Sequence, residues 1–332
     1  MAGPAPLPSP GAARSETAAR SETPTRSETV LHEGVSGPAG HLRALERASR
    51  RENLGRSWFK FSRNPLSVVG LVTVAVVILM AIFAPYVTPY PRHAGAFTDF
   101  RHAKVAPDAQ YVMGTDQIGR DIFTRIVFGL RSSLLMAMLV LALVVPPGVF
   151  LGLLAGYYRG TWMDVVIMRA TDIFLAVPPL ILALAVASVL QPSLWHGMIA
   201  VSLMWWPWYT RLVYGLASQL RNEYFVAAAE VNGASLWHIL FREILPNTVS
   251  SVLTKMSLDV AWVIIIGSML SFVGLGVQPP EPSLGSMVAD GARYLPDQWW
   301  IAVFPALAIV VVVMGFNLLG DGVRDLFASE QA

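Results

Sequence analysis

Few side chains here can do covalent chemistry, and their spacing rules out its common forms. A phosphate-cradling P-loop needs a Gly-Lys pair at a helix start, yet the lysines Lys60, Lys104 and Lys255 follow Phe59, Ala103 and Thr254. No HExxH zinc helix and no GxSxG nucleophile elbow occurs. The six histidines, His32, His41, His93, His102, His196 and His238, fall at spacings unsuited to a ligand cluster. Cysteine is absent, which removes disulfides, thiolate metal sites and thiol nucleophiles. The chain is therefore expected to catalyse nothing and to hold no ATP, metal or cofactor of its own. Transport or scaffolding remains.

The informative charges are those set in apolar sequence. Asp259 follows Lys255 by four residues, the spacing of neighbours on a helix face. A charge in hydrocarbon is costly unless it meets a partner or a watery path. The pair reads either as a structural bridge near the inner surface or as a pore-lining gate, with Trp262 as a further candidate for the gate. Arg169 and Asp172 form a similar pair. Trp205, Trp206, Trp208 and Tyr209 either anchor and pack or stack on a passing solute.

The segment from Tyr224 to Asn247 carries a different signal. A first short helix runs to about Val231, Asn232-Gly233 supplies a left-handed turn, Ser235 is a candidate N-cap, and Leu236 to Glu243 form a second helix before Pro246 redirects the chain. Leu236, Ile239, Leu240 and Phe241 give that second helix an apolar side. On an exposed loop such a side either presses on lipid or fills a groove in a partner protein.

The elements that position these residues are apolar runs of membrane length. Apolar residues make up 54% of the chain and charged ones 14%, against roughly 25% charged in soluble domains. The run Leu66–Ala84 reaches roughly 28 Å as a helix and crosses a hydrocarbon core of about 30 Å. A second span covers Ser132–Tyr158, its bonding interrupted at Pro146 and Pro147. A third covers residues 165–190 and a fourth 196–217, the latter taking in Arg211 by snorkelling. Val260–Val277 and Trp299–Gly320 are the fifth and sixth, separated by Gln278-Pro279-Pro280-Glu281-Pro282, which cannot be a regular helix. The fold class expected is an all-α membrane protein with six transmembrane helices over residues 65–326, its core at about 132–326.

Six spans place both termini on one side. With the N terminus inside, Arg56, Lys60, Arg63, Arg159, Arg211, Arg221, Arg242 and Arg324 are cytoplasmic, while Arg120, Arg125 and Arg131 oppose that orientation. Tyr86, Tyr90, Trp299 and Trp300 then form an outer aromatic belt. Residues 1–40 contain Arg-Ser-Glu-Thr at Arg14, Arg20 and Arg26 and read as a disordered cytoplasmic tail, or else as a phosphorylation or docking tail. Residues 41–64 read as an amphipathic interfacial segment and 327–332 as a C-terminal tail. No apolar signal-peptide core stands at the N terminus, so the first span is expected to direct insertion. Net charge is only +2, and no basic stripe interleaved with aromatics predicts a nucleic-acid partner.

Residues 224–247 resemble the EAA motif of the permease subunits of bacterial binding-protein-dependent ABC importers, Glu-Ala-Ala-x3-Gly-x9-Ile-x-Leu-Pro. Ala228, Ala229, Gly233, Leu245 and Pro246 match. Ala227 stands in place of Glu, Glu243 in place of the first Ile, and Ile244 comes one position late. Other stretches look like the dipeptide, oligopeptide and nickel branch of that family: Asn64-Pro65-Leu66, Ala84-Pro85, Gly114-Thr-Asp-x-x-Gly-Arg-Asp121, Met168-Arg169-x-x-Asp172, Gly274-Leu-Gly-Val-Gln-Pro-Pro280, Ala289-Asp-Gly291 and Phe316-Asn-Leu-Leu-Gly-Asp-Gly-x-Arg-Asp325.

The resemblance implies the MetI-like fold of type I importers, in the bacterial inner membrane with cytoplasmic termini. It implies a second homologous permease subunit, two cytoplasmic ATPase subunits that hold the ATP and Mg, and an extracytoplasmic substrate-binding protein. The residues carried over to ATPase coupling are Ala228, Ala229, Gly233, Ser235, Leu236, Trp237, His238, Ile239, Phe241, Arg242, Leu245 and Pro246. Asp259 and Trp262 are the candidate pathway residues, and Gly114–Asp121 reads as a loop meeting the binding protein or as a polar turn. The implied cargo is a di- or oligopeptide. Nickel or another small solute, a secondary transporter, and a non-transporting scaffold are the alternatives.

Overall fold

The computed structural model describes Phe59 and residues 61–328. The Arg-Ser-Glu-Thr tail, nearly all of the interfacial segment and the last four residues lie outside the described residues. Every long element is helical: α1 Pro65–Ile82, α2 Ile122–Tyr157, α3 Trp162–Ala176, α4 Pro179–Val189, α5 Leu194–Leu220, α6 Tyr224–Val231, α7 Leu236–Phe272, α8 Leu284–Ala292 and α9 Trp300–Ala328.

The ends of these helices follow local chemistry. Asn64 caps α1 by accepting from the Leu66 N–H at 3.1 Å, with Pro65 at the first position, where no N–H is needed. Asp121 caps α2 through the Thr124 N–H at 2.8 Å. Helix α2 therefore starts at Ile122 rather than at Ser132. Arg125 does not end the helix, because it is buried and faces the Asp116 carboxylate at 3.6 Å. Pro146 and Pro147 sit inside α2, which continues through them.

Among the described residues, four helices, α1, α2, α7 and α9, are long and apolar enough to cross a membrane, and the count reaches five if α3 and α4 form one broken span. The expected third span is not one rod. It bends by 87° between α3 and α4, at a Pro178-Pro179 pair that cannot supply the backbone donors a continuous helix requires. Helix α5 has the length, but its Trp205-Trp206-Pro207-Trp208-Tyr209 run and Arg211 leave it less apolar than the others. The expected fifth span is displaced: α7 ends at Phe272, where Gly274, at φ 86°, turns the chain left-handed and Leu275 N–H returns to the Leu270 carbonyl at 2.9 Å. Helix α8 was not anticipated.

The most extensive seam joins α2 to α5. Gly148, Gly152 and Gly156 repeat every fourth residue on α2. A Cβ added at each would lie 2.7 Å from Tyr209 Cβ, 2.7 Å from the Thr210 carbonyl oxygen and 2.6 Å from Ala217 Cβ. Only hydrogen fits there, so the backbones approach as small-residue repeats allow in membranes. The Thr210 hydroxyl donates to the Gly148 carbonyl across the seam at 3.1 Å. Val140, Val144, Leu153, Met204, Val213 and Ile264 belong to the same continuous core.

Candidate functional site

The segment from α6 to α7 is an elbow. Helix α6 ends at Asn232, Gly233 takes φ 75°, and Ala234 N–H closes on the Ala229 carbonyl at 3.0 Å. Ser235 then caps α7 by accepting the His238 N–H at 3.3 Å. Tyr157 Oη at the end of α2 donates to Glu230 Oε1 of α6 at 2.8 Å, and the Arg221 guanidinium, at the end of α5, lies 5.0 Å from the centre of the same Tyr157 ring.

Pro246 does not redirect the chain. Residues Ile239–Ile244 are π-helical, and the Leu245 N–H bonds to the Leu240 carbonyl, so the helix has changed register before it reaches the proline. Leu236–Phe272 is thus one helix of 37 residues. The apolar side expected to seek a partner is mostly used within the chain. Ile239, Leu240 and Ile244 are fully buried, and Leu236 is half-buried. What the elbow leaves exposed is Tyr224 (92%), Val231 (89%), Trp237 (58%) and Phe241, together with Ala228, Gly233, Ser235, Arg242 and Pro246. Ala229, His238 and Leu245 are half-buried. Trp237 stacks between Phe150 of α2 at 6.2 Å and Phe241 at 5.8 Å, while His238 Nε2 lies 3.4 Å from Glu243.

Further along α7, Asp259 and Trp262 line a cleft of about 510 Å³ together with Pro179, Leu180, Trp205, Trp208, Lys255, Ile266 and Met269. Lys255 Nζ donates to Asp259 at 3.1 Å, and the Trp205 indole N–H donates to Asp259 Oδ2 at 3.0 Å. The Lys255–Asp259 spacing was legible in sequence. Trp205, which arrives from α5, was not assigned as a partner, and the available clue was that a buried carboxylate needs more than one donor. Asp172, expected to pair with Arg169, instead pairs with Arg211 of α5, and this gives Arg211 a partner as well.

Gly114–Asp121 folds as a closed turn. Asp116 Oδ1 accepts the N–H groups of Ile118 and Arg120 at 3.0 and 2.9 Å, and its Oδ2 receives Arg120 Nε at 2.7 Å. Thr115, Asp116, Arg120 and Asp121 are all buried. Asp116 and Arg120 are thus paired within the turn, with Arg125 of α2 beside them and Asp121 given over to capping that helix. His93 Nδ1 accepts the Asp121 N–H at 2.9 Å and its ring stacks on Phe97 at 4.0 Å. Burial holds the His93 imidazole below its ordinary pKa, against the opposing pull of Asp121, Asp116 and Asp99. Among the described residues no group of three or more His, Asp or Glu could hold a metal.

Residues 148–331 match the family described as the binding-protein-dependent transport system inner membrane component. Residues 53–107 match the N-terminal transmembrane domain of oligopeptide transport permease C. The chain is 39% identical over 263 residues to the probable D,D-dipeptide transport system permease protein DdpC of Escherichia coli, covering 79% of this chain and 87% of that protein. It is 40% identical over 271 residues to the dipeptide transport system permease protein DppC of Alkalihalophilus pseudofirmus, covering 81% and 88%. It is 38% identical over 268 residues to the glutathione transport system permease protein GsiD of Pectobacterium atrosepticum, again covering 81% and 88%. A solved chain of the MetNI methionine ABC transporter in an inward-facing conformation superposes with a TM-score of 0.52 at 17% identity, over 62% of this chain and 97% of that one, which supports a MetI-like arrangement of helices. The chain accordingly belongs to the inner-membrane permease components of binding-protein-dependent ABC importers, in the branch of the dipeptide and oligopeptide permeases.

Proposed function

We propose that this protein forms one half of the membrane pathway of an ATP-driven importer of short peptides. The other half is a second, homologous permease subunit. Two cytoplasmic ATPase subunits hold the ATP and Mg, and an extracytoplasmic binding protein delivers the cargo. Relatives named for dipeptides, D,D-dipeptides and glutathione support a short-peptide cargo. In this reading the broken α3–α4 pair and α5 complete a set of six spans, and both termini are cytoplasmic. Asp259 and Trp262 line the pathway.

One observation carries the proposal: the elbow at Gly233 leads into a single helix of 37 residues that reaches the Lys255–Asp259 cleft. An ATPase subunit seated on the exposed Trp237, Phe241 and Arg242 would grip the end of a lever whose far part lines the pathway. The test is Gly233→Pro in the complete transporter. Proline cannot adopt φ 75°, so the elbow must reshape, although nothing within 4 Å would clash with a Cβ there. Stimulation of ATP hydrolysis by loaded binding protein is expected to disappear while the variant still inserts in the membrane. Unaltered peptide uptake would refute the lever. Uptake driven by an ion gradient without any ATPase subunit would refute the importer class.

A further inference from the structure

The two charges in the cleft are not equally open. The Lys255 side chain is 25% exposed, whereas Asp259, on the wall of the same cleft, is 5% exposed and held by Lys255 Nζ and the Trp205 indole. A bridge that served packing alone has no need to leave its cation facing a cleft of about 510 Å³, a volume in the range of small-ligand pockets. The ammonium is also flanked by rings, 5.8 Å from the Trp208 centroid and 5.3 Å from that of Tyr209, which fix its direction and thin the water around it. Of the remaining walls, Leu180, Ile266 and Met269 are apolar, and the exposed Trp262 adds a ring whose indole nitrogen can only donate, a match for an anionic acceptor. Apart from Asp259 the lining carries no charged acceptor, so the accessible, oriented cation selects an anion that every cargo molecule shares.

We infer that the cleft is a transit site for the C-terminal carboxylate of the peptide, bound by Lys255, which the Asp259 carboxylate orients while the Trp205 indole holds Asp259. The inference rests on the short-peptide reading above. It leaves discrimination among side chains to other parts of the transporter, because the group recognised here is common to all free peptides. The Lys255–Asp259 bridge loosens as the carboxylate arrives and re-forms as it leaves, so the buried acid is never left without a donor, the Trp205 indole remaining throughout.

The experiment uses the complete transporter in proteoliposomes and reads uptake of a labelled dipeptide per ATP hydrolysed. The double variant Lys255→Gln with Asp259→Asn removes the cation without stranding a buried charge. Uptake per ATP is expected to fall about tenfold, the scale of one lost charge-assisted hydrogen bond. Lys255→Arg, which keeps the cation, is expected to retain most of it. A double variant equal to the parent would show the pair to be a packing device and overturn the inference. If the double variant does not assemble, Trp262→Ala decides, since that wall residue is 54% exposed. A severalfold fall with the complex intact supports the site, while unchanged uptake, or loss of the second permease subunit from the purified complex, overturns it. A parent complex that hydrolyses ATP but accumulates no peptide would remove the peptide reading itself.

Discussion

At the scale of single residues, the Asp259 carboxylate draws its donors from two helices, Lys255 on its own and Trp205 on α5. Lys255 and Asp259 are one helical turn apart, so spacing alone pairs them. Trp205 joins Asp259 across 54 positions, and only the packing of α5 on α7 brings it there. Trp205→Phe removes that donor and leaves Asp259 leaning on Lys255 alone. A loss of about 1–3 kcal/mol is expected, read as a lower midpoint of thermal unfolding in detergent, with Asp259→Asn in the same background recovering part of it. His93 makes the second prediction at this scale. Its folded-state pKa is depressed, so its contribution is present above the ordinary histidine value of 6.5 and is lost as pH falls through the lower folded value. A protonated Nδ1 cannot accept the Asp121 N–H. The thermal midpoint should therefore drop between about pH 7.5 and about pH 5 by more in the parent than in His93→Gln.

At the scale of elements, the existence of helices was written in the apolar runs, but their ends were misplaced wherever a charge was taken as a boundary. Arg125 and Asp259 each lie within a helix because each is buried with a partner, Asp116 for the one and Trp205 and Lys255 for the other. Pro178-Pro179 was a visible break that the uncharged length of the run concealed, and α8 is too short, among Gly and Pro, to announce itself by periodicity. The glycine seam on α2 was equally visible as a repeat of four, and it becomes meaningful only once α5 is known to lie against it. Gly152→Leu should force α2 and α5 apart, at a cost of about 1–3 kcal/mol or more, and lower the yield of monodisperse protein in size-exclusion chromatography. Gly215→Ala, where nothing lies within 4 Å of the added Cβ, should lower neither yield nor midpoint.

At the scale of the whole molecule, the spaced motifs carried the family, because most of them mark turns and close approaches that the fold cannot place elsewhere. Gly114, Gly233 and Gly274 all take positive φ. The sidedness of the elbow is testable, since the chain has no cysteine of its own. Trp237→Cys should react with a membrane-impermeant thiol reagent only in inside-out vesicles, and labelling from the external medium alone would put the elbow on the wrong face. The π-helical stretch Ile239–Ile244 changes the register between the elbow and the rest of α7. Such a stretch holds one residue more than an α-helix would over the same rise, so a helical wheel drawn through it slips in azimuth by roughly 100°. Any scanning mutagenesis of Leu236–Phe272 should show its periodic pattern jump phase there, and deleting one residue inside the stretch would swing the tip around the shaft without shortening the helix by a full turn.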